Sequence, residues 1–585
     1  MLLSYRCICW WSRLKFEKTV SLILAVQLFL SLLLLFSSLK IQYRPTVHRV
    51  TSIAEFNINF NINSILIPIL LLSLFLTIRR LKFRDLFIIV LAILTLPLLG
   101  FNLSLVLISF IHIILAFKAF KPWRTFFTYL FLLLSIFEAA AAVHWILLYP
   151  LNVNYLFGDL AMLELSVYYV FAQVTPIFTT FLMYHWIPIL LSYGFKLPIP
   201  SILKLNFQDA LPLKFNPKLL LFFSTLISMF SAIYPYLPTV NPAGLPVGVD
   251  IKYYVNYTLM AEIDLLNAFK VSGGSRPIIV LLLLLLKRLT NLDVWLVVKF
   301  LPLILNPLLT LSTYFLVKSS TGDEFFASLS ALLTSLGYKL TVNMYSYFLA
   351  DITALILIYF SMALLFDSLK SKSKLTFACS TILFSLSIFT HPWTFTQYYI
   401  SLLFFPLAEI FERRSLTVAL KAERRILILL VFSGFIDILK SFLIGGLEGA
   451  SAAAGTVGHQ SPIGFLNYWN NTIFSHLLLY GGFQSNLLIN MFSMFGALII
   501  WRMGYLGKFL SYSFIASSIP YFFVNGTLQS RLFFNLPVEI LFSYSIYSII
   551  RCGRIPPSIR NSFLLFIISS QLAYLFRSLA NLILI

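Results

Sequence analysis

Runs of apolar residues, separated by short polar turns, repeat from one end of the chain to the other. A helix needs about 20 mostly apolar residues to cross a bilayer. Runs of that kind fall at 18–38, 62–78, 125–148 and 219–236, and more follow to the C-terminus. A backbone in lipid must satisfy its own hydrogen bonds. The pattern therefore predicts an all-α fold, a polytopic transmembrane helical bundle of about 16–18 spans. Hairpins are expected at 86–117, turning at Gly100 to Asn102, and at 375–410, turning at His391-Pro392-Trp393. The long run 163–195 reads as one span kinked at Pro176 and Pro188. The run from Pro277 to Lys287-Arg288 is expected to cross. Segments 294–317, 324–340 and 343–366 must then share only two crossings between basic loops. Segment 324–340 is the one expected to be short, re-entrant or interfacial.

Charge orients this pattern. Of the 585 residues, 60% are hydrophobic and 11% charged, against roughly 25% charged in soluble proteins. No polar stretch is long enough for a large soluble domain. The net charge is +21. Most of its basic residues sit in short loops between apolar runs, as cytoplasmic loops do. Anionic lipid explains that charge without nucleic acid. The N-terminus is then inside, and 18–38 reads as an uncleaved anchor. Four Asn-x-Ser/Thr acceptors, at Asn102, Asn256, Asn470 and Asn525, all fall in expected outer loops. Cys7, Cys9, Cys379 and Cys552 fit neither a zinc spacing nor a disulfide framework.

Acids are scarce, and three of the 21 lie in the outer loop 237–276. Asp250 precedes an apolar stripe at Ile251, Val255, Leu259, Ile263 and Leu266, which predicts an amphipathic helix in the interface plane. Tyr253, Tyr254 and Tyr257 suit that zone. Asp250 is either the cap of this helix or a carboxylate acting as general base on an acceptor hydroxyl. Glu262 and Asp264 read as its solvated face, and at a spacing of two they do not sit side by side. No metal site is expected, and a divalent cation has no support in the spacing.

The remaining candidates are scattered. Arg276 is an interfacial anchor or a bidentate phosphate contact. Asp323 and Glu324 suit a helix start, with a second acidic cluster as the rival reading. Asp351 lies inside an apolar run, where an ionisable group points to function; pairing with Lys339 is the structural alternative. His391 and Trp393 occupy an outer turn. Arg531 is a snorkelling anchor or a lipid-phosphate clamp. No Walker motif, His-Glu-x-x-His or nucleophile elbow is present.

A span, an outer loop carrying Gly248-Val249-Asp250, an amphipathic helix and then Arg276-Pro277 together resemble the GT-C superfamily of membrane glycosyltransferases. The likeness covers about 218–540 in layout and includes 343–366, His391-Pro392-Trp393 and Arg531. Asp250 matches the family's loop carboxylate. The loop has no Asp-x-Asp. The resemblance divides the chain into N-terminal spans (1–217), a GT-C-like core (218–425) and C-terminal spans with a soft outer loop at 445–472 (426–585). It implies an enzyme of the cell membrane that needs no cofactor. Such an enzyme moves a sugar from a polyprenyl-phosphate donor to an acceptor at the outer face. Asp250 would act as base, and Arg276 or Arg531 would bind the leaving phosphate. The rival classes are a transporter or flippase using Asp351, Glu138 and Asp437, and a non-catalytic subunit of a membrane complex.

Overall fold

The computed structural model describes residues 2–38, 62–77, 101–120, 123–153, 156–189, 216–444, 465–501 and 503–582, with four single positions between 85 and 93. Most of the first arm of the 86–117 hairpin, the basic loop 190–215 and most of the soft loop 445–472 lie outside these residues. The described residues are mostly helical, with no strand among them.

The N-terminal helices are α1 (Leu2–Ser38), α2 (Ile62–Thr77), α3 (Phe101–Phe120), α4 (Trp123–Val143) and α5 (Leu156–Met183). The expected single span at 163–195 is α5, with Pro176 inside it and a turn at Tyr184-His185. α6 (Pro217–Ile233) leads into the loop that holds α7 (Ile251–Ile263), α8 (Pro277–Thr290) and α9 (Val294–Phe300). There follow α10 (Pro302–Thr321), α11 (Glu324–Ser335), α12 (Tyr338–Ser346), α13 (Leu349–Ser371), α14 (Lys374–Leu386) and α15 (Pro392–Arg413). The chain closes with α16 (Leu416–Ala422), α17 (Arg424–Ile444), α18 (Phe465–Ile473), α19 (Leu487–Ile500), α20 (Gly504–Phe523), α21 (Gly526–Asn535), α22 (Val538–Arg551) and α23 (Pro557–Ala580).

Among the described residues ten helices are long and apolar enough to cross a membrane, or eleven if the bent pair α21–α22 counts as one span. The chain is an integral, multi-pass helical membrane protein. Several further apolar runs expected to cross form shorter helices, as in α2, α14 and α19, and most of the first arm of the 86–117 hairpin lies outside the described residues.

One correction decides where the site lies. The run from Pro277 does not cross. Arg276, just before α8, donates to the Tyr254 hydroxyl near the start of α7, and Lys287 near the end of α8 pairs with Glu262 near the end of α7. The two helices therefore lie side by side and parallel, on one face of the bundle. α9 joins them, with Lys299 4.1 Å above the Tyr236 ring at the end of α6. The 14 residues of α8 are also too few for a span. The crossing that α8 does not make is made by 324–346. That segment is not re-entrant or interfacial but the most buried of the candidate spans. It breaks at Leu336-Gly337, between α11 and α12, because neighbouring helices cover it on every side.

The two ends of the bundle follow from long-range bonds. At the end away from the loop, Lys370 donates to the carbonyls of Ser319 and Ser320, and Arg551 pairs with Asp323. At the loop end, the backbone amides of Val249 and Asp250 donate to the carbonyls of Tyr345 and Ser346. We call this end the site face. Asn256, Asn470 and Asn525 belong to it, and so does Asn102, since the far end of α3 abuts α4 at the opposite end.

Candidate functional site

The loop is held by contacts that only certain residues permit. Gly248 has φ +107°, and a Cβ there would lie 2.4 Å from the Tyr347 ring. Only glycine combines that conformation with so close an approach. Tyr347 is itself left-handed (φ 65°), in the short break between α12 and α13. Its hydroxyl donates to the carbonyl of Val298 at 2.6 Å. The loop, α9 and the start of α13 are thus tied at one point.

Asp250 stands at the N-cap position of α7 but makes no side-chain capping bond. The capping alternative therefore fails, and the carboxylate is left to its surroundings. Those are Arg276, Arg531, Asp351 and Lys252. Burial pushes the Asp250 carboxyl above its ordinary range, and Arg276 and Arg531 oppose the rise. Asp351, in the first turn of α13, does not meet Lys339. That lysine pairs with Glu539 on α22. Asp351 Oδ1 lies 2.9 Å from His391 Nδ1 and accepts from the Thr394 hydroxyl at 3.2 Å. Burial lowers the His391 pKa and Asp351 opposes the fall.

Two guanidiniums face these acids. Arg276 Nη1 donates to the Tyr254 hydroxyl at 3.2 Å, and that oxygen also accepts from the Ala350 amide at 3.2 Å. Arg531, on α21, lies 5.5 Å from the centre of the Phe348 ring, and its Nε is buried with no partner. Among the described residues neither arginine is in an ion pair within 4 Å. Both nevertheless act on Asp250 and Asp351. Beside Arg531 a partly open cavity of about 210 Å³ runs between α15, α20 and α21. His391, Trp393, Gln397, Arg531, Leu532 and Asn535 line it, with apolar side chains making most of its walls.

The structure therefore gathers Asp250, Arg276, Asp351, His391 and Arg531 at the site face, with Trp393 on the adjoining cavity. It separates the other acids. Glu262 pairs with Lys287, and Asp264 caps the 3₁₀ turn Leu265–Phe269 through the Leu266 amide. Asp323 caps α11 and pairs with Arg551, while Glu324 pairs with Lys318. Both lie at the opposite end of the bundle, so they form no second cluster at this site. Arg531 lies within the short helix α21, bent by 53° from α22 across Leu536-Pro537. Among the described residues no three His, Cys, Asp or Glu come close enough to hold a metal ion together.

Sequence reasoning missed Tyr254, grouping it with the interfacial tyrosines. The expected stripe begins on the buried face, at Ile251 and Val255, but leaves it at Leu259, Ile263 and Leu266, which are exposed. Buried residues are Ile251, Tyr254, Val255, Thr258 and Ala261, whereas Ile263 is 86% exposed. Steps of four drift about 40° per step around a helix of 3.6 residues per turn. A mixed three-and-four spacing would have found the true face.

Comparison with protein-family models and with curated proteins finds no match. Function is therefore argued from the site itself.

Proposed function

We propose that this chain is a membrane glycosyltransferase that moves a sugar from a polyprenyl-phosphate donor to an acceptor hydroxyl at the site face. The observation that carries the reading is that Asp250, free of any capping duty, lies in the field of Arg276 and Arg531, neither in an ion pair among the described residues, and that Arg531 also lines an apolar cavity.

The chemistry then follows from charge. The acceptor oxygen bonds to the anomeric carbon as the bond from that carbon to the phosphate oxygen breaks. The electron pair leaves with the lipid phosphate, where Arg276 and Arg531 neutralise it. Asp250 takes the acceptor proton, and a carboxyl raised by burial is a stronger base than an exposed one. Asp351 is engaged by His391 and Thr394, so it serves as a fixed negative charge rather than the base. The cavity receives the first isoprenoid units beside Arg531. The site face is outward in this reading, at the cell membrane. The location of Asp351 beside Asp250, at one end of a span, suits transfer better than a transport path near the midplane.

The test is transfer from labelled polyprenyl-phosphate sugars to endogenous acceptor in membranes carrying the protein. Asp250→Asn is expected to lose transfer by at least about 100-fold with unchanged expression, the scale of a general base. Transfer retained in that variant sinks the assignment.

A further inference from the structure

We propose that a second cavity, separate from the transfer site, binds an amphipathic molecule through a primary ammonium group. It lies among α1, α4, α5, α19 and α23 and has a volume of about 330 Å³. Ligand sites generally span about 300–1,000 Å³. Phe29, Leu33, Phe137 and Leu488 are among its apolar walls, and Glu138, Glu164 and Arg577 are its charged groups.

The buried polar groups there are not all paired. Arg577 Nη1 donates to Glu164 Oε1, and the guanidinium stacks 3.7 Å from the centre of the Tyr168 ring. Glu138 lies in the field of both. Two carboxyl groups thus face one guanidinium. Glu138 Oε2 and Glu164 Oε2 are buried with no donor. Glu164 is only 4% exposed. Buried polar atoms in native proteins have partners, and the two residues that carry these acceptors line the cavity. Their complement carries one positive charge and more than one N–H. A primary ammonium has both, with three donors. The apolar walls suit an alkyl chain attached to it. Such an ammonium comes from an amine-headed membrane lipid or from a free amphiphilic amine.

Native mass spectrometry of the full chain in phosphatidylcholine nanodiscs tests the site with dodecylamine and dodecanol. Dodecylamine is expected to bind at least about tenfold more tightly, the effect of a charge-assisted bond. Glu138→Gln should remove most of that preference and leave dodecanol binding as it was. Leu33→Trp, which fills the cavity, should remove both. Equal affinity for the two probes in the unaltered protein overturns the proposal without recourse to any variant. So does an unchanged preference in Glu138→Gln. Competition by a single-chain phosphoethanolamine lipid supports the lipid as the source, and its failure to compete supports a free amine. None of these readouts depends on sugar transfer.

Discussion

Asp250 shows how one residue's role turns on its neighbours. An aspartate before a helix is usually a cap; here that bond is absent, and two guanidiniums hold the carboxylate's field instead. The pH dependence follows with a definite sign. The base must be ionised. Burial raises its pKa, so transfer falls on acidification at a higher pH than for an exposed aspartate. Arg276 opposes that rise, so Arg276→Gln should move the acid limb of the rate profile further up. An acid limb that stays in place in Arg276→Gln would separate the two groups. What the sequence offered at this scale was uneven. Asp250, Arg276, His391 and Arg531 were legible because ionisable groups are scarce in the expected outer loops of this chain. Asp351 stood out because it lies inside an apolar run, but its partner did not. His391 is 40 residues away in sequence and reaches it only because the α14–α15 hairpin folds back on α13. Tyr254 was illegible because a tyrosine in an interfacial helix has an ordinary explanation.

Among the elements, the breaks matter more than the spans. The α11–α12 break and the α21–α22 bend face each other, joined by the buried pair of Lys339 with Glu539. Lys339 also donates to the Leu536 carbonyl at 2.6 Å, at the bend itself, where that oxygen accepts from the Val538 amide as well. This pair fixes α21, and with it Arg531. Removing one partner of such a pair strands the other charge and costs about 3–5 kcal/mol. Lys339→Met should therefore lower the melting temperature in detergent markedly. Adding Glu539→Leu to it should recover much of that loss. A single variant as stable as the parent would show that the pair does not hold the bend. The apolar runs that form these helices were plain in the sequence. Which run failed to cross was not, because parity counts crossings without saying where one is missing. The run after Pro277 is as apolar as a span, and its length of 14 residues emerges only once α7 lies beside it.

For the whole molecule, the consequence is a layered site face. α7, α8 and α9 form a cover over the bundle, and the reacting groups lie where that cover meets the ends of α13, α15 and α21. Topology mapping checks this. Single cysteines at Asn256, Arg288 and Lys374, in a background without the four native cysteines, can be labelled with an impermeant maleimide. Positions 256 and 288 should react from one side and 374 only from the other. Labelling of 288 together with 374 would restore α8 as a span and dismantle the site.

The central claim is that Arg531 and its neighbours bind the phosphate of a polyprenyl lipid beside Asp250. Every donor of this class shares that phosphate, whatever its sugar. The most direct measurement is the affinity of the purified protein for polyprenyl phosphate, compared in Asp250→Asn and Arg531→Ala. The account predicts binding that Asp250→Asn keeps or tightens, since it removes a negative charge, and that Arg531→Ala weakens by about tenfold or more. Absence of binding, or equal affinity in Arg531→Ala, would contradict it.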